Sequence, residues 1–266
     1  MFTHTIAWGG NKPPEGSQIN WGHPLSRGLV GCWLMNETGN FYSSNLVHPG
    51  HRAIMTNCTR KNAPNNAVSL ISFNGTSSKI ACSPIISNLH NSRMMINIYT
   101  KLSIQGSARR ILSNALDANN LVQILQYGSL EFIVLSGGTY LVRRDIETPN
   151  YTNYHLFTFI WNGTTAFIYV DGIRKDNINT TNTYGEGTTG TLWLGTRGAD
   201  TFYSGNIGFV YIHIGMFNAA HACALVESPY QFISAPRRRF YSFPIEEQPG
   251  ITAGIMTPRS SYWGDL

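Results

Sequence analysis

Paired carboxylates could give this sequence a hydrolytic activity. Few such pairs are possible, because Asp and Glu together number only 14 of the 266 residues. Enzymes that cleave glycosidic bonds use two carboxyl groups, one of them as a general acid. On a β-strand these groups would follow a pattern such as Glu-x-Asp-x-x-Glu. No predicted strand carries it: Glu131 stands alone in LEFIVL, Glu227 lies in a predicted helix, and Glu246 and Glu247 lie near the end of the chain. The sequence therefore predicts a protein that is not an enzyme.

Histidine and serine patterns add no second chemistry. His48 and His51 are three residues apart, but no third ligand is near them in sequence, and they flank Pro49-Gly50 as loop residues do. No serine lies in a Gly-x-Ser-x-Gly elbow, and no glycine-rich phosphate loop precedes a helix. We predict neither a metal site nor a cofactor.

The four cysteines are Cys32, Cys58, Cys82 and Cys223, and no two of them form a Cys-x-x-Cys pair. This spacing disfavours a zinc ribbon or a thioredoxin-like redox site. Cys32 and Cys82 lie in apolar, strand-like runs. We therefore predict that both are small hydrophobic residues of the core.

Composition and charge restrict the class of protein and its partners. Charged residues make up 12% of the chain, about half the usual share, whereas 42% hydrophobic residues suffice for a packed core. The net charge of +5 is too small and too scattered to predict nucleic-acid binding. No apolar run is long enough to cross a membrane, and the first residues do not resemble a signal peptide. We expect synthesis and assembly in a cytoplasm.

Short strands separated by turn residues account for most of the chain. Apolar or alternating runs predict strands at residues 28–34, 68–73, 79–82, 94–102, 110–113, 121–126, 130–135, 140–143, 191–195 and 205–217. Residues 35–66 are predicted to be mainly turns. Regular short strands with turns between them are typical of a β-sandwich or barrel.

The clearest pattern lies in residues 154–175. Asn162-Gly163 and Asp171-Gly172 are strong hairpin turns, and they predict a three-stranded meander. Residues 218–228 form the one predicted helix, which Asn218 would cap.

Regular patterns stop at both ends of the chain. Residues 1–27 and 236–266 are rich in Gly and Pro, but they keep large aromatic side chains. We predict an N-terminal arm at 1–27, a domain at 28–235, and a basic and aromatic hinge with an extended tail at 236–266. The N-terminal arm is expected to pack on the domain or on a neighbouring subunit, and the C-terminal tail is expected to be extended and to depend on a partner.

Three segments resemble the laminin G-like, concanavalin A-like family in the right order. They are SLISFNGTSSKIAC, YHLFTFIWNGTTAFIYVDG and LWLGTRGADTFYSGNIGFVYIHIGMFNAAHACALVESPY, and the resemblance covers about residues 28–230. It implies an all-β fold: a two-sheet antiparallel jelly-roll sandwich with one short helix and extended terminal arms. Some relatives bind calcium, but Asn74 stands where the family often has Asp, so calcium is not supported.

The flanks INWGHPLSRGLVGCWLMNE and SPYQFISAPRRRFY resemble laminin G-like proteins of tailed bacteriophages. This resemblance implies a structural protein of the virion, either a head decoration or a tail component. Its partners would be other virion proteins, as capsid or tail subunits or as a homo-oligomer, and no membrane. The candidate partner-binding residues lie in the two arms: Trp8, Trp21, Arg237, Arg238, Arg239, Phe240, Tyr241, Tyr262 and Trp263. The arginines could also contact nucleic acid, but we favour protein contact.

The alternative function is a carbohydrate-binding module. Sugar rings stack on exposed aromatic side chains, and Tyr184, Phe202 and Tyr203 lie in predicted loops next to Gly and Thr. We therefore predict these three as glycan-binding candidates, with the alternative that they are ordinary anchors of their loops. Trp33, Trp161 and Trp193 lie within strands and are predicted to pack in the core, with sugar stacking as the alternative.

Overall fold

The structure is a computed structural model of the chain. It describes residues 12–39, 41–62, 69–82, 86, 89–102, 108–117, 119–127, 129–147, 153–175, 178–179, 191–196 and 201–235. Nine of the predicted candidates lie outside these residues: Trp8, Tyr184, Arg237, Arg238, Arg239, Phe240, Tyr241, Tyr262 and Trp263.

Strands dominate the described part of the chain. In chain order they are β1 (Gln18–Ile19), β2 (Leu29–Trp33), β3 (Tyr42–Ser44), β4 (Arg52–Thr56), β5 (Thr59–Asn62), β6 (Ser69–Asn74), β7 (Lys79–Cys82), β8 (Met94–Leu102), β9 (Arg109–Asp117), β10 (Asn120–Tyr127), β11 (Ser129–Ser136), β12 (Thr139–Glu147), β13 (His155–Trp161), β14 (Ala166–Val170), β15 (Ile173–Arg174), β16 (Ile178–Asn179), β17 (Thr191–Leu194), β18 (Ser204–Ile214) and β19 (Ile233–Ser234). One α-helix, α1 (Ala219–Glu227), and two 3-10 helices (Pro24–Ser26 and Leu89–Asn91) complete the elements. Among the described residues, no helix has the length and apolar character to cross a membrane.

Two antiparallel sheets form a sandwich. The first sheet has nine strands in the order β16-β12-β11-β10-β9-β17-β7-β4-β3. The second has the order β15-β14-β13-β8-β18-β6-β5, and β2 also pairs with β18. These findings confirm the predicted all-β jelly-roll class.

The main core lies between the two sheets. Phe132 on β11 and Phe159 on β13 meet across it, with ring centroids 5.5 Å apart. Trp33 and Trp161 belong to the same cluster, as predicted, and so does Cys82. Because these side chains leave water completely or nearly so, each contributes on the order of 2 kcal/mol to stability.

A second apolar cluster lies on the outer face of the eight-stranded sheet, beneath α1. Cys32 and Tyr211 contribute from the sheet, and Leu225 contributes from the helix. Asn218 caps α1 as predicted, since its side chain accepts a hydrogen bond from the backbone N–H of Ala220 at 3.1 Å.

Residues 12–27, which belong to the predicted N-terminal arm, lie against the sandwich. β1 pairs with β19, so that Gln18 lies opposite Ser234. Lys12 Nζ donates to the backbone carbonyls of Ser69 and Gly208, at 2.7 Å each. The described part of the arm is therefore held by the domain.

The meander predicted in residues 154–175 is confirmed as β13, β14 and β15. Asn162-Gly163 joins the first two strands, and Asp171-Gly172 joins the next two. Both turn glycines have positive φ, 97° at Gly163 and 76° at Gly172, which explains the choice of residue.

No strand was predicted in the turn-rich residues 35–66, and here the structure corrects the prediction. This segment contains β3, β4 and β5. One guanidinium organises it: Arg60 lies 3.1 Å from Glu37 and donates to the carbonyls of Met35 at 2.9 Å and Tyr42 at 2.7 Å. These partners come from distant residues, so sequence patterns of short range did not reveal the strands.

Candidate functional site

The outward side of four neighbouring strands forms the best candidate surface for binding. Strand register places Tyr42, Ile54, Ala81 and Trp193 side by side across β3, β4, β7 and β17. We call this surface the Trp193 face. It comprises the outward side chains of these strands: Tyr42, Ser44, Arg52, Ile54, Thr56, Lys79, Ala81, Thr191 and Trp193.

Trp193 points out of the sandwich because successive side chains of a strand alternate between its two faces. Leu192 and Leu194 are fully buried in the core, whereas Trp193 is half-buried on the opposite face. The prediction that Trp193 packs in the core is therefore wrong. The alternation in TLWL was the signal that could have found it.

A cation accompanies each aromatic ring on the Trp193 face. Lys79 Nζ lies 5.2 Å from the ring centroid of Trp193. The guanidinium carbon of Arg52 lies 4.5 Å from the ring centroid of Tyr42. Both distances are within the range of cation–π attraction, which favours these orientations of the rings and the cations.

The small side chain of Ala81 lies in the middle of the row, between two larger side chains. Ile54 on one side is 62% exposed, and the Trp193 indole stands on the other side. A flat aromatic ring with accessible polar neighbours is an arrangement on which a sugar ring can stack. The C–H surface of the sugar is apolar, and the hydroxyls of the sugar need polar partners.

A chain of buried polar side chains continues the surface beyond Trp193. Arg110 donates through Nε to Gln123 Oε1 at 3.1 Å, and Gln123 donates through Nε2 to Ser113 Oγ at 3.2 Å. Ser113 is the register partner of Trp193. These bonds join β9 to β10 beside the strand that carries the indole.

The glycan-binding candidate Tyr203 anchors its loop in the core, so the sugar-stacking role is wrong and the alternative is correct. The side chain is fully buried and packs on Phe73, with ring centroids 5.7 Å apart. Its hydroxyl donates to the backbone carbonyl of Lys101 at 2.8 Å and lies 2.8 Å from Thr100 Oγ1. Burial raises the pKa of this phenol well above its usual range. An aromatic residue in a loop next to glycine can anchor that loop in the core instead of contacting solvent.

The other described candidates remain predictions. Phe202 is half-buried, and its backbone carbonyl accepts from Arg109 Nη1 at 3.1 Å. Trp21 is 58% exposed, in the turn that follows β1. This exposure is compatible with a role in contacting a partner.

Two of the described carboxylates, Asp171 and Glu131, do not face solvent freely. Asp171 Oδ2 lies 2.6 Å from His155 Nδ1, and Asp171 Oδ1 accepts from the backbone N–H of Leu156 at 2.9 Å. Glu131 on β11 is buried, with 1% exposure. No group of three or more His, Cys, Asp or Glu side chains in the described ranges could hold a metal ion.

Comparison with known proteins agrees with this architecture. The family model described as the concanavalin A-like lectin/glucanases superfamily matches residues 74–223, more than half of the chain. No curated protein sequence matches the chain.

Solved structures with a similar fold belong to several kinds of protein. A mutant Trypanosoma rangeli sialidase with trans-sialidase activity has 15% identity and a TM-score of 0.53, with 76% of this chain and 33% of the sialidase covered. The binding domain of Paraclostridial Mosquitocidal Protein 1 has 13% identity and a TM-score of 0.60, with coverages of 78% and 53%. Domain 4 of the arabinanase AbnA from Geobacillus stearothermophilus, in complex with arabinotriose, has 15% identity and a TM-score of 0.51, with coverages of 80% and 100%.

At such identities the likeness shows the fold alone. The chain spans a third to about a half of the length of the sialidase and the mosquitocidal binding domain. The family match, the strand order and the two packed sheets lead to one assignment. The chain belongs to the concanavalin A-like lectin/glucanases superfamily.

Proposed function

We propose that this protein is a non-catalytic carbohydrate-binding domain whose binding surface is the Trp193 face. The observation that carries the proposal is the outward, half-buried indole of Trp193 next to the small side chain of Ala81. Aromatic side chains dominate the energetics of binding surfaces because they bury a large area with little loss of conformational freedom. The arabinotriose complex of AbnA domain 4 supports the proposal, since it shows a protein of this fold bound to a sugar.

The absence of catalysis is part of the proposal. Glycosidases place two carboxyl groups about 5–10 Å apart, free to act on the substrate. The nine residues of the Trp193 face all lie in the described ranges, and none of them is acidic. We therefore expect binding without hydrolysis, even though sialidases are among the proteins of similar fold.

A glycan array with the purified protein, followed by calorimetry on each hit, tests this function. Trp193→Ala should weaken binding by about tenfold or more, as expected for a central aromatic contact. Trp21→Ala is the matched control, because it removes another exposed indole far along the chain, and it should leave the affinity unchanged. The proposal fails if the wild-type protein binds no glycan, or if both variants bind as the wild type does.

A second function is favoured by the way in which the two flanks meet. The segments that resemble phage proteins, residues 19–37 and 228–241, lie next to each other where both are described: β1 pairs with β19, and the Asn20 N–H donates to the Phe232 carbonyl at 2.9 Å. Trp21 is exposed beside this junction. Such a surface could serve for attachment to a neighbouring subunit.

On this proposal the protein is a structural component of a tailed-phage virion, in the head or the tail, and the domain is displayed on the particle. Its partners would be capsid or tail subunits or further copies of this chain. Deletion of residues 242–266 should abolish incorporation into virions and leave the domain folded, which circular dichroism would verify. Normal incorporation of the shortened protein would count against this role. The two functions are compatible, since a displayed domain can bind glycans.

A further inference from the structure

The free edge of β3 is covered by two charged side chains. β3 is the last strand of the nine-stranded sheet, and among the described strands it pairs with β4 alone. An edge strand usually presents a row of unpaired N–H and C=O groups, with which a strand of another molecule can pair. On β3, part of this row is occupied from within the protein.

Strand geometry identifies the backbone groups of β3 that point away from β4. The Met55 N–H donates to the Phe41 carbonyl at 3.0 Å, so the backbone groups of Phe41 face β4. Because backbone groups alternate between the two sides of a strand, those of Tyr42 and Ser44 face the free edge. A strand added at this edge would have to bond to these two residues.

Glu37 and Arg60 engage both of these residues. Arg60 Nη2 donates to the Tyr42 carbonyl at 2.7 Å, and the Ser44 N–H donates to Glu37 Oε1. The two side chains also pair with each other, with Arg60 Nη2 lying 3.1 Å from Glu37 Oε2. The ion pair therefore lies where an added strand would have to lie.

Further contacts keep the ion pair at this edge. Arg60 belongs to β5, the edge strand of the eight-stranded sheet, and its Nη1 donates to the Met35 carbonyl at 2.9 Å. Ser43 Oγ donates to Glu37 Oε1 at 3.1 Å. The side chains of Arg60 and Glu37 are only 10% and 3% exposed. Charged side chains are rarely buried to this extent unless they are paired, so the same contacts that hold each charge also hold it against β3.

The two neighbouring edge strands differ in how they are protected. β5 carries Lys61, which is exposed, and a lysine on an edge strand discourages pairing with another chain. β3 consists of Tyr42, Ser43 and Ser44 and has no charged residue of its own. Its protection against pairing must therefore come from other parts of the chain.

We propose that the Glu37–Arg60 pair closes a self-association surface on β3, whose partner is β3 of a second copy of this chain. The same edge in a second copy, related by a two-fold axis, supplies the matching antiparallel strand. Without the ion pair, the two copies would join their nine-stranded sheets edge to edge.

Sedimentation velocity of Glu37→Ala/Arg60→Ala tests the proposal. Both residues are changed, because removal of one alone would leave the other charge buried without its partner. The variant should form a species of twice the wild-type mass, in a fraction that rises with protein concentration, while circular dichroism shows that the strands are retained. Adding Ser44→Pro should restore the wild-type mass, because proline removes the N–H that pairing at this edge requires.

Asp171→Asn is the matched control. The Asp171 carboxylate also accepts from a backbone N–H, that of Leu156 at 2.9 Å, and lies 2.6 Å from His155 Nδ1. However, β13 is paired on both sides, by β14 and β8, so this variant exposes no edge and should keep the wild-type mass. The proposal is overturned if the folded double variant keeps the wild-type mass at every concentration, or if Ser44→Pro does not reverse its association.

Glu37→Leu/Arg60→Met keeps the test decisive if the alanine variant does not fold. Replacement of a buried ion pair by apolar side chains of similar volume is often tolerated. It leaves the Tyr42 carbonyl and the Ser44 N–H without these partners, so we expect the same dimer. A folded Glu37→Leu/Arg60→Met protein that keeps the wild-type mass would equally overturn the proposal.

Discussion

Acidification below pH 6.5 should destabilise this protein through one buried ring, that of His213. The side chain is fully buried, and its Nε2 donates to the backbone carbonyl of Leu25 at 3.0 Å, so the neutral ring carries its proton on Nε2. Phe217 and Phe232 present their rings to it at 5.4 Å and 6.3 Å. Burial lowers the pKa of His213 from 6.5 to about 4, although the Leu25 carbonyl acts in the opposite direction.

The sign and size of the effect follow from linkage between protonation and folding. Between pH 6.5 and 4 the unfolded chain binds a proton at His213 that the folded protein does not, and so stability falls as the pH is lowered through this window. The loss is about 2 kcal/mol at pH 5 and approaches about 3 kcal/mol near pH 4, since each pH step is equivalent to about 1.4 kcal/mol. Above pH 6.5 the contribution is complete.

Urea unfolding of the wild type and of His213→Gln at several pH values isolates this contribution. Glutamine keeps an N–H donor for Leu25 but does not titrate. The difference in unfolding free energy between the two proteins should shrink by about 2 kcal/mol from pH 7.5 to pH 5. An unchanged difference over this range would refute the reasoning, as would an NMR titration in which the folded ring protonates near pH 6.5.

Two further predictions concern packing and thiol exposure. Gly195→Ala should lower the free energy of unfolding in urea by about 2–4 kcal/mol, because φ is +82° and the added methyl group would lie 2.3 Å from the Phe73 ring. Gly137→Ala is the control: φ is positive there too, but the space is open, and the loss should be only about 1 kcal/mol. Cys223 is exposed and should react with a thiol reagent within minutes, whereas buried Cys32 should react only after unfolding. Equal losses for the two glycines, or early labelling of Cys32, would contradict these statements.

Local signals predicted much of the fold. The Asn-Gly and Asp-Gly turns of residues 154–175 give a correct meander because the turn type depends on two adjacent residues. β18 and α1 were also predicted near their observed positions, at Ser204–Ile214 and Ala219–Glu227. Each of these signals lies within a dozen residues of the element it specifies.

The candidate site was predicted poorly, because it depends on which side of a strand faces the other sheet. Trp193 and Tyr203 were both assigned by residue type and surroundings, and the structure reverses both: the tryptophan faces outward and the tyrosine is buried. Tyr42 and Arg52 lie in a segment where no strand was predicted. That segment is held by the ion pair between Arg60 and Glu37, which joins residues more than 20 positions apart.

The pairing of β1 with β19 has a mechanical consequence. Gln18 lies opposite Ser234, so tension applied to the chain before β1 and after β19 would pull these partners directly apart. The two-residue ladder would then lose its hydrogen bonds one after another, which takes less force than breaking them together. The long strands β8 and β18, which pair over most of their length, would bear load only later. Under such tension we expect β1 and β19 to separate while the two sheets of the sandwich stay intact.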